Sequence, residues 1–191
     1  NGIFVFNKND EFLKKVVKSQ NNISFKSFEV DKNFSDSFVN DNDYLKGNHN
    51  SINASIAITL AKKLNINDSQ IKLAVQSFKG LPHRMEPIYI CDKFKIINDS
   101  KSTNGESTAA ALSSFENIFW IAGGKPKSDG IGQAQKFLGK VIEVFLIGNS
   151  IDYFAEEINN IDPDLKINTC FTLEKATQLA IESVIRSKLR N

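Results

Sequence analysis

Apolar residues along this chain follow two rhythms. "GIFVF" (2–6) is a continuous apolar run that predicts a strand, and "ISFKSFEV" (23–30) alternates as a half-buried strand does. Residues 9–19 between them fit a short helix or a loop, and 31–46 are polar and rich in turn formers. In "NHNSINASIAITLAKKL" (48–64), Ile52, Ile56, Leu60 and Leu64 repeat at four-residue spacing, the stripe of an amphipathic helix. "NDSQIKLAVQSF" (67–78) predicts a second helix, with Asn67 as its N-cap and Gly80 as a stop signal just beyond.

The rhythm then changes. "MEPIYIC" and "FKIIND" predict two strands joined by a short turn at Asp92-Lys93. A helix rich in small residues follows over 105–115. "IFWIAGG" (118–124) and "VIEVFLIG" (141–148) are continuous apolar runs, the mark of strands buried on both faces. Helices are predicted around 131–139, 150–159 and 173–189, with a short strand near 167–171. This alternation predicts an α/β fold in which a parallel sheet carries helices on both faces. Such sheets bind ligands beyond the carboxyl ends of their strands. Gly123-Gly124, Gly148 and the "NDSKSTN" cluster (98–104) all fall at strand ends of that kind.

Composition narrows the class. The chain has 191 residues, 41% hydrophobic and 24% charged, enough for one large or two small globular domains. The formal charge is only +2 and no basic tract stands out, so charge gives no reason to propose nucleic acid as a partner. No apolar run approaches the roughly 18 residues that a membrane helix needs. Cys91 and Cys170 lie in apolar runs without metal-type spacing; buried thiols and a reducing, cytoplasmic setting are expected. The chain opens on a strand without Met, so a piece of a longer protein is expected.

Four clusters could carry chemistry. "INDSKSTN" runs from a strand into a helix. Its hydroxyls and amides could merely cap that helix through Thr103 or Asn104, but Lys101 beside Asp99 also suits a carboxylate or phosphate, and Asp99 could accept from a ribose diol. In "GLPHR", Arg84 is either an ordinary surface arginine or a guanidinium fork for phosphate oxygens. "GGKPKSD" (123–129) is an exposed loop or an anion-binding turn; it is neither GxGxxG nor a phosphate loop. Asn50 and Asn53 lie three apart on one helical face, where amides either cap the helix or read an adenine edge. Asparagine is abundant here, so a lone Asn carries little weight. His49 and His83 have no metal partner at helical or loop spacing.

Taken together these residues resemble the Mur ligase family, and within it the branch that adds D-glutamate. The family's His-Asn-x-x-Asn helix start is matched by His49, Asn50 and Asn53, and its "GLPHR(M/F)E" linker by Gly80 to Glu86. The D-glutamate branch's "NDSKATN…ST…AL" is matched by Asn98 to Asn104, Ser107-Thr108 and Ala111-Leu112, and its "GG…K" by Gly123, Gly124 and Lys127. The agreement in order and spacing runs over residues 45 to 150. Related ligases that add other amino acids, and folylpolyglutamate synthases, tend to carry an Asp-x-Ala-His-type sequence at the position of "NDSKST", which separates the branches.

The resemblance implies residues 1–80 as the C-terminal part of a central ATP-binding domain. It implies 81–191 as a Rossmann-like C-terminal domain, incomplete at its end. It implies a cytoplasmic, monomeric enzyme that uses ATP and Mg2+ to join D-glutamate to UDP-N-acetylmuramoyl-L-alanine through an acyl phosphate. Asn50 and Asn53 would contact adenine, Arg84 the phosphates and Asp99 the ribose; Lys101, Thr103 and Lys127 would hold D-glutamate. Arg84 and Lys101 are the pair implied to act on the reacting groups. The family's GKST loop and metal ligands lie upstream of the matched region, so the chain alone is expected to be inactive. A stand-alone nucleotide- or anion-binding module and a folylpolyglutamate-synthase-like ligase are the alternative readings.

Overall fold

The computed structural model describes residues 2–19, 25–31, 33, 36–39, 42–45 and 47–187, in two compact units, Asn1–Gly80 and Leu81–Asn191. Residues 23–24 of the second expected strand and 188–189 of the last expected helix lie outside the described residues.

In the first unit, β1 (Gly2–Asn7) and β2 (Phe25–Val30) pair in parallel, from Gly2 opposite Phe25 to Asn7 opposite Val30. They are connected through α1 (Glu11–Ser19), whose first turn is capped by Asp10 accepting from the Leu13 N–H at 2.9 Å. After the short α2 (Asp36–Val39) and a 3-10 turn (Asp43–Leu45) come α3 (Asn48–Lys63) and α4 (Asp68–Ser77). Asn67 caps α4 as expected, accepting from the Gln70 N–H at 2.9 Å. Buried Asn42 serves its other end, donating to the carbonyls of Val75 at 2.6 Å and Phe78 at 2.8 Å. The Val75 carbonyl has only a 3.3 Å bond from the C-cap Phe78 N–H, and Phe78 lies past the helix, so both carbonyls can accept from a buried amide.

The buried face of α3 differs from the expected stripe. Ala54, Ser55, Ile58 and Thr59 are buried, whereas Ile52, Ile56 and Leu60 are half-buried and Leu64 is exposed. Two causes act together. Leu64 is already the C-cap residue. The helix also packs on β1 and β2 as well as on α2 and α4, so its small residues take the closest approaches.

The second unit begins with an antiparallel hairpin of β3 (Glu86–Ile90) and β4 (Lys95–Asn98). The register slips between Pro87 and Tyr89, where proline has no N–H for the ladder. Next come α5 (Gly105–Ser113), β5 (Ile118–Gly123), a 3-10 helix (Gly132–Lys140), β6 (Val141–Ile147), α6 (Ile151–Ile161), β7 (Lys166–Phe171) and α7 (Leu173–Arg186). The three strands form a parallel sheet in the order β5-β6-β7. The protein is therefore α/β with helix-covered parallel strands.

Period-two alternation in β6 divides the core. Val144 and Leu146 pack with Ala109 and Leu112 of α5, Ala134 and Leu138 of the 3-10 helix, and Ile151 and Ile158 of α6. Phe145 points to the other face, against Cys170, Ala176 and Ala180. Burial on both faces holds for Glu143 to Leu146 of β6, while Ile142 is exposed. In β5, at one end of this sheet, Ile118 to Ala122 are only half-buried and Gly123 is exposed. Cys170 is buried as expected, but Cys91 at the hairpin turn is half-buried.

Glu143 is an exception on this buried strand. Its side chain is 7% exposed, paired with Lys166 at 2.5 Å and accepting from the Asn168 amide at 2.8 Å. Burial pushes its carboxyl up, but Lys166, Asn168 and Ser183 together outweigh that and hold it below the usual glutamate value. A depressed carboxylate adds stability above its unfolded pKa and loses it as pH falls through the folded one. Glu143→Gln should therefore cost about 1–2 kcal/mol at pH 7. Urea unfolding should show that gap shrinking as the pH is lowered from the ordinary carboxylate range to below it.

Candidate functional site

The two ends of the β3–β4 hairpin are tied into one knot. On the incoming side, Arg84 stands between His83 and Met85, whose φ angles of 64° and 49° are left-handed. Such angles cost a non-glycine residue roughly 1–2 kcal/mol each, so something must hold them. The outgoing side does. Asp99 Oδ1 accepts from the Met85 N–H at 2.9 Å, and the Lys101 N–H donates to the His83 carbonyl at 3.0 Å. The Asn98 amide donates to His83 Nδ1 at 2.9 Å, and Glu86 accepts from the His83 N–H at 2.8 Å. Asp99 Oδ2 also accepts from the Ser102 hydroxyl.

Asp99 is thus half-buried and engaged at both oxygens by its own loops. Arg84, Lys101 and Thr103 remain exposed beside it. Asn104, not Thr103, caps α5, accepting from the Ser107 N–H at 2.8 Å.

The loop carrying Lys127 is fastened to the start of α5. A Cβ on Gly105 would lie 2.5 Å from the Ile131 carbonyl oxygen and 2.7 Å from the Gly132 Cα. Only glycine allows that backbone-on-backbone approach. At the far end Lys140 reaches the Ser113 carbonyl at 3.2 Å and pairs with Glu116 at 2.6 Å. The 3-10 helix therefore runs alongside α5. This contact brings the turn after Lys101 and Thr103 to the loop after β5, at the carboxyl side of the sheet.

Lys127 is exposed, and its carbonyl accepts from the Gly130 N–H at 3.0 Å, closing a turn. Among the described residues no carboxylate forms an ion pair with Arg84, Lys101 or Lys127. Nearby, Gly124, Lys125, Gly148, Asn149 and Ser150 line an open cavity of about 390 Å³ at the ends of β5 and β6.

Asn50 and Asn53 belong to the first unit. They sit near the start of α3, which Gly47 caps without a side-chain hydrogen bond; Asn50 is half-buried and Asn53 exposed. Nothing in the sequence signalled that Glu86 and Gly105 organise these loops, or that Glu157 of α6 accepts from the Ile131 N–H at 2.9 Å. A hint existed only for the loop, in the closely spaced glycines of "DGIG" (129–132).

The second unit thus defines a class: an α/β protein presenting cations on two fastened loops at the carboxyl side of a parallel sheet. Comparison with known proteins makes this specific. No family model matches the chain. It is 39% identical over 142 residues to UDP-N-acetylmuramoylalanine–D-glutamate ligase of Rhizobium meliloti, and 38% over 136 residues to the Agrobacterium fabrum protein of that name. Those matches cover 74% and 71% of this chain but only 30% and 28% of the relatives. Among solved structures, MurF from Acinetobacter baumannii aligns over 96% of this chain and 46% of its own, with TM-score 0.61 at 16% identity. UDP-N-acetylmuramate-alanine ligase MurC from Thermotoga maritima aligns over 73% and 37%, with TM-score 0.57 at 17% identity. The chain belongs to the Mur ligase family, and the curated relatives it matches are named as D-glutamate ligases.

Asp99→Ala should free the Met85 N–H and the Ser102 hydroxyl, costing about 1–3 kcal/mol. Amide exchange should speed up at Met85 and Lys101 and stay unchanged in β6. Gly105→Ala should lower the thermal midpoint by several degrees, since overpacking against rigid backbone costs about 1–3 kcal/mol.

Proposed function

We propose that this chain supplies the amino-acid-facing part of an ATP-dependent ligase joining D-glutamate to UDP-N-acetylmuramoyl-L-alanine. Identity of 39% to a ligase of that name carries the reading. The chain spans about 30% of the length of the curated relatives it matches, so the whole reaction is assigned to a longer protein. Residues 1–80 are assigned to the central ATP-binding domain and 81–191 to the C-terminal one.

In this reading ATP phosphorylates the muramoyl-L-alanine carboxylate, and the amine of D-glutamate attacks the acyl phosphate. ADP and phosphate are released. The Arg84 fork takes phosphate oxygens, and Lys101 and Lys127 neutralise the carboxylates of D-glutamate, with the Thr103 hydroxyl as a further donor. Asn50 and Asn53 offer amides to the adenine edge. Asp99 faces the ribose with its remaining lone pairs, because Met85 and Ser102 already use one on each oxygen. Such side chains act by positioning and by neutralising charge as it develops.

Mg2+ is an expected companion of the triphosphate. Among the described residues no group of three or more His, Cys, Asp or Glu could hold it, and the roles above belong to side chains alone. No described helix is long and apolar enough to cross a membrane. A cytoplasmic, monomeric enzyme is the setting proposed.

The test is steady-state kinetics of the full-length ligase. Lys127→Ala should raise the D-glutamate KM about tenfold or more, as a hydrogen bond to a charged group contributes about 1.5–3 kcal/mol. The ATP KM should stay within about twofold, the change being confined to the amino-acid side. An unchanged D-glutamate KM would remove the assignment of Lys127.

A further inference from the structure

Glu157 lies on α6, an element that carries no residue assigned a role above, yet its carboxylate reaches the Lys127 loop. Oε2 accepts from the Ile131 N–H at 2.9 Å, and Oε1 accepts from the Tyr153 hydroxyl at 3.1 Å. The carboxylate lies where a Cβ on Gly130 would be, and Gly130 has a left-handed φ of 56°. Gly130 and Ile131 are buried although they sit in a loop, and Glu157 is half-buried.

The chain of contacts to the lysine is short. Ile131 is held by Glu157. Gly130, its neighbour, closes the turn onto the Lys127 carbonyl at 3.0 Å. On the opposite side, Ile131 and Gly132 rest on Gly105. The turn is therefore gripped from α5 through backbone and from α6 through one carboxylate. Lys127 carries a long, flexible side chain whose useful reach depends on where its Cα is anchored. A carboxylate hydrogen bond to a backbone amide is of the stronger, charge-assisted kind.

We propose that Glu157 is a positioning residue for Lys127, fixing the turn from which that lysine meets the D-glutamate carboxylate. This rests on the function proposed above and extends it to a residue outside the ligand-facing loops. Glutamine can still accept from the Ile131 N–H through its amide oxygen; alanine cannot. An alanine at position 130 would instead push the carboxylate away while leaving residue 157 intact.

The experiment compares Glu157→Ala, Glu157→Gln, Gly130→Ala and Lys127→Ala in the full-length ligase. It reads the D-glutamate and ATP KM values, kcat, the melting midpoint and amide exchange at Ile131. Glu157→Ala and Gly130→Ala should each raise the D-glutamate KM about tenfold, since small misplacements of a binding group carry such penalties. The ATP KM should hold, Glu157→Gln should stay near wild type, and Ile131 exchange should quicken in Glu157→Ala. Should Lys127→Ala raise the D-glutamate KM while neither Glu157→Ala nor Gly130→Ala does, the positioning role is overturned and the ligase reading stands. Should Lys127→Ala itself leave that KM unchanged, the assignment of Lys127 falls, and the role of Glu157 falls with it. Equal loss of stability in all variants, without the split between the two KM values, also overturns it.

Discussion

Burial of β6 on both faces is the constraint on which the second unit depends. Val144, Phe145 and Leu146 have no measurable exposure, and their side chains alternate between two helical layers. A strand so placed must have a neighbour on each edge for its backbone groups, and β5 and β7 provide them in parallel. Parallel pairing demands long crossovers. Those crossovers are the 3-10 helix and α6, and both pack against the same face of β6. The loops that leave the carboxyl ends of the strands are thereby gathered on one side.

The site is built on that arrangement by backbone contacts more than by side-chain pairing. Glycine at position 105 lets the start of α5 touch Ile131 and Gly132 directly. The hairpin's two left-handed residues are held open by Asp99, Asn98 and Glu86. The cations are left to solvent while neutral and acidic groups do the fastening. Under the function proposed above, this division of labour suits a site for an amino acid with two carboxylates and a nucleotide. The anchoring groups are satisfied internally, whereas Arg84, Lys101 and Lys127 form no ion pair among the described residues.

Much of the candidate site was picked out from the sequence because its patterns are local. Asn98 to Asn104 stand out as a polar cluster between a strand and a helix, and Arg84 follows a proline turn at a strand start. Asn50 and Asn53 share a face by spacing alone. The commitments of Asp99 were not readable, because Met85 is 14 residues away and joins only when the hairpin closes. Glu157 was less visible still, 26 residues from the amide it holds.

The order of elements, the α/β class and the doubly buried character of β6 follow from the sequence itself, because the period of apolar positions is a local property of the chain. Which face of α3 is buried, that β5 is only half-covered, and that Gly105 meets Gly132 were decided by tertiary structure. Each of those depends on what arrives from a distant part of the chain, and close packing of non-neighbours leaves no periodic trace.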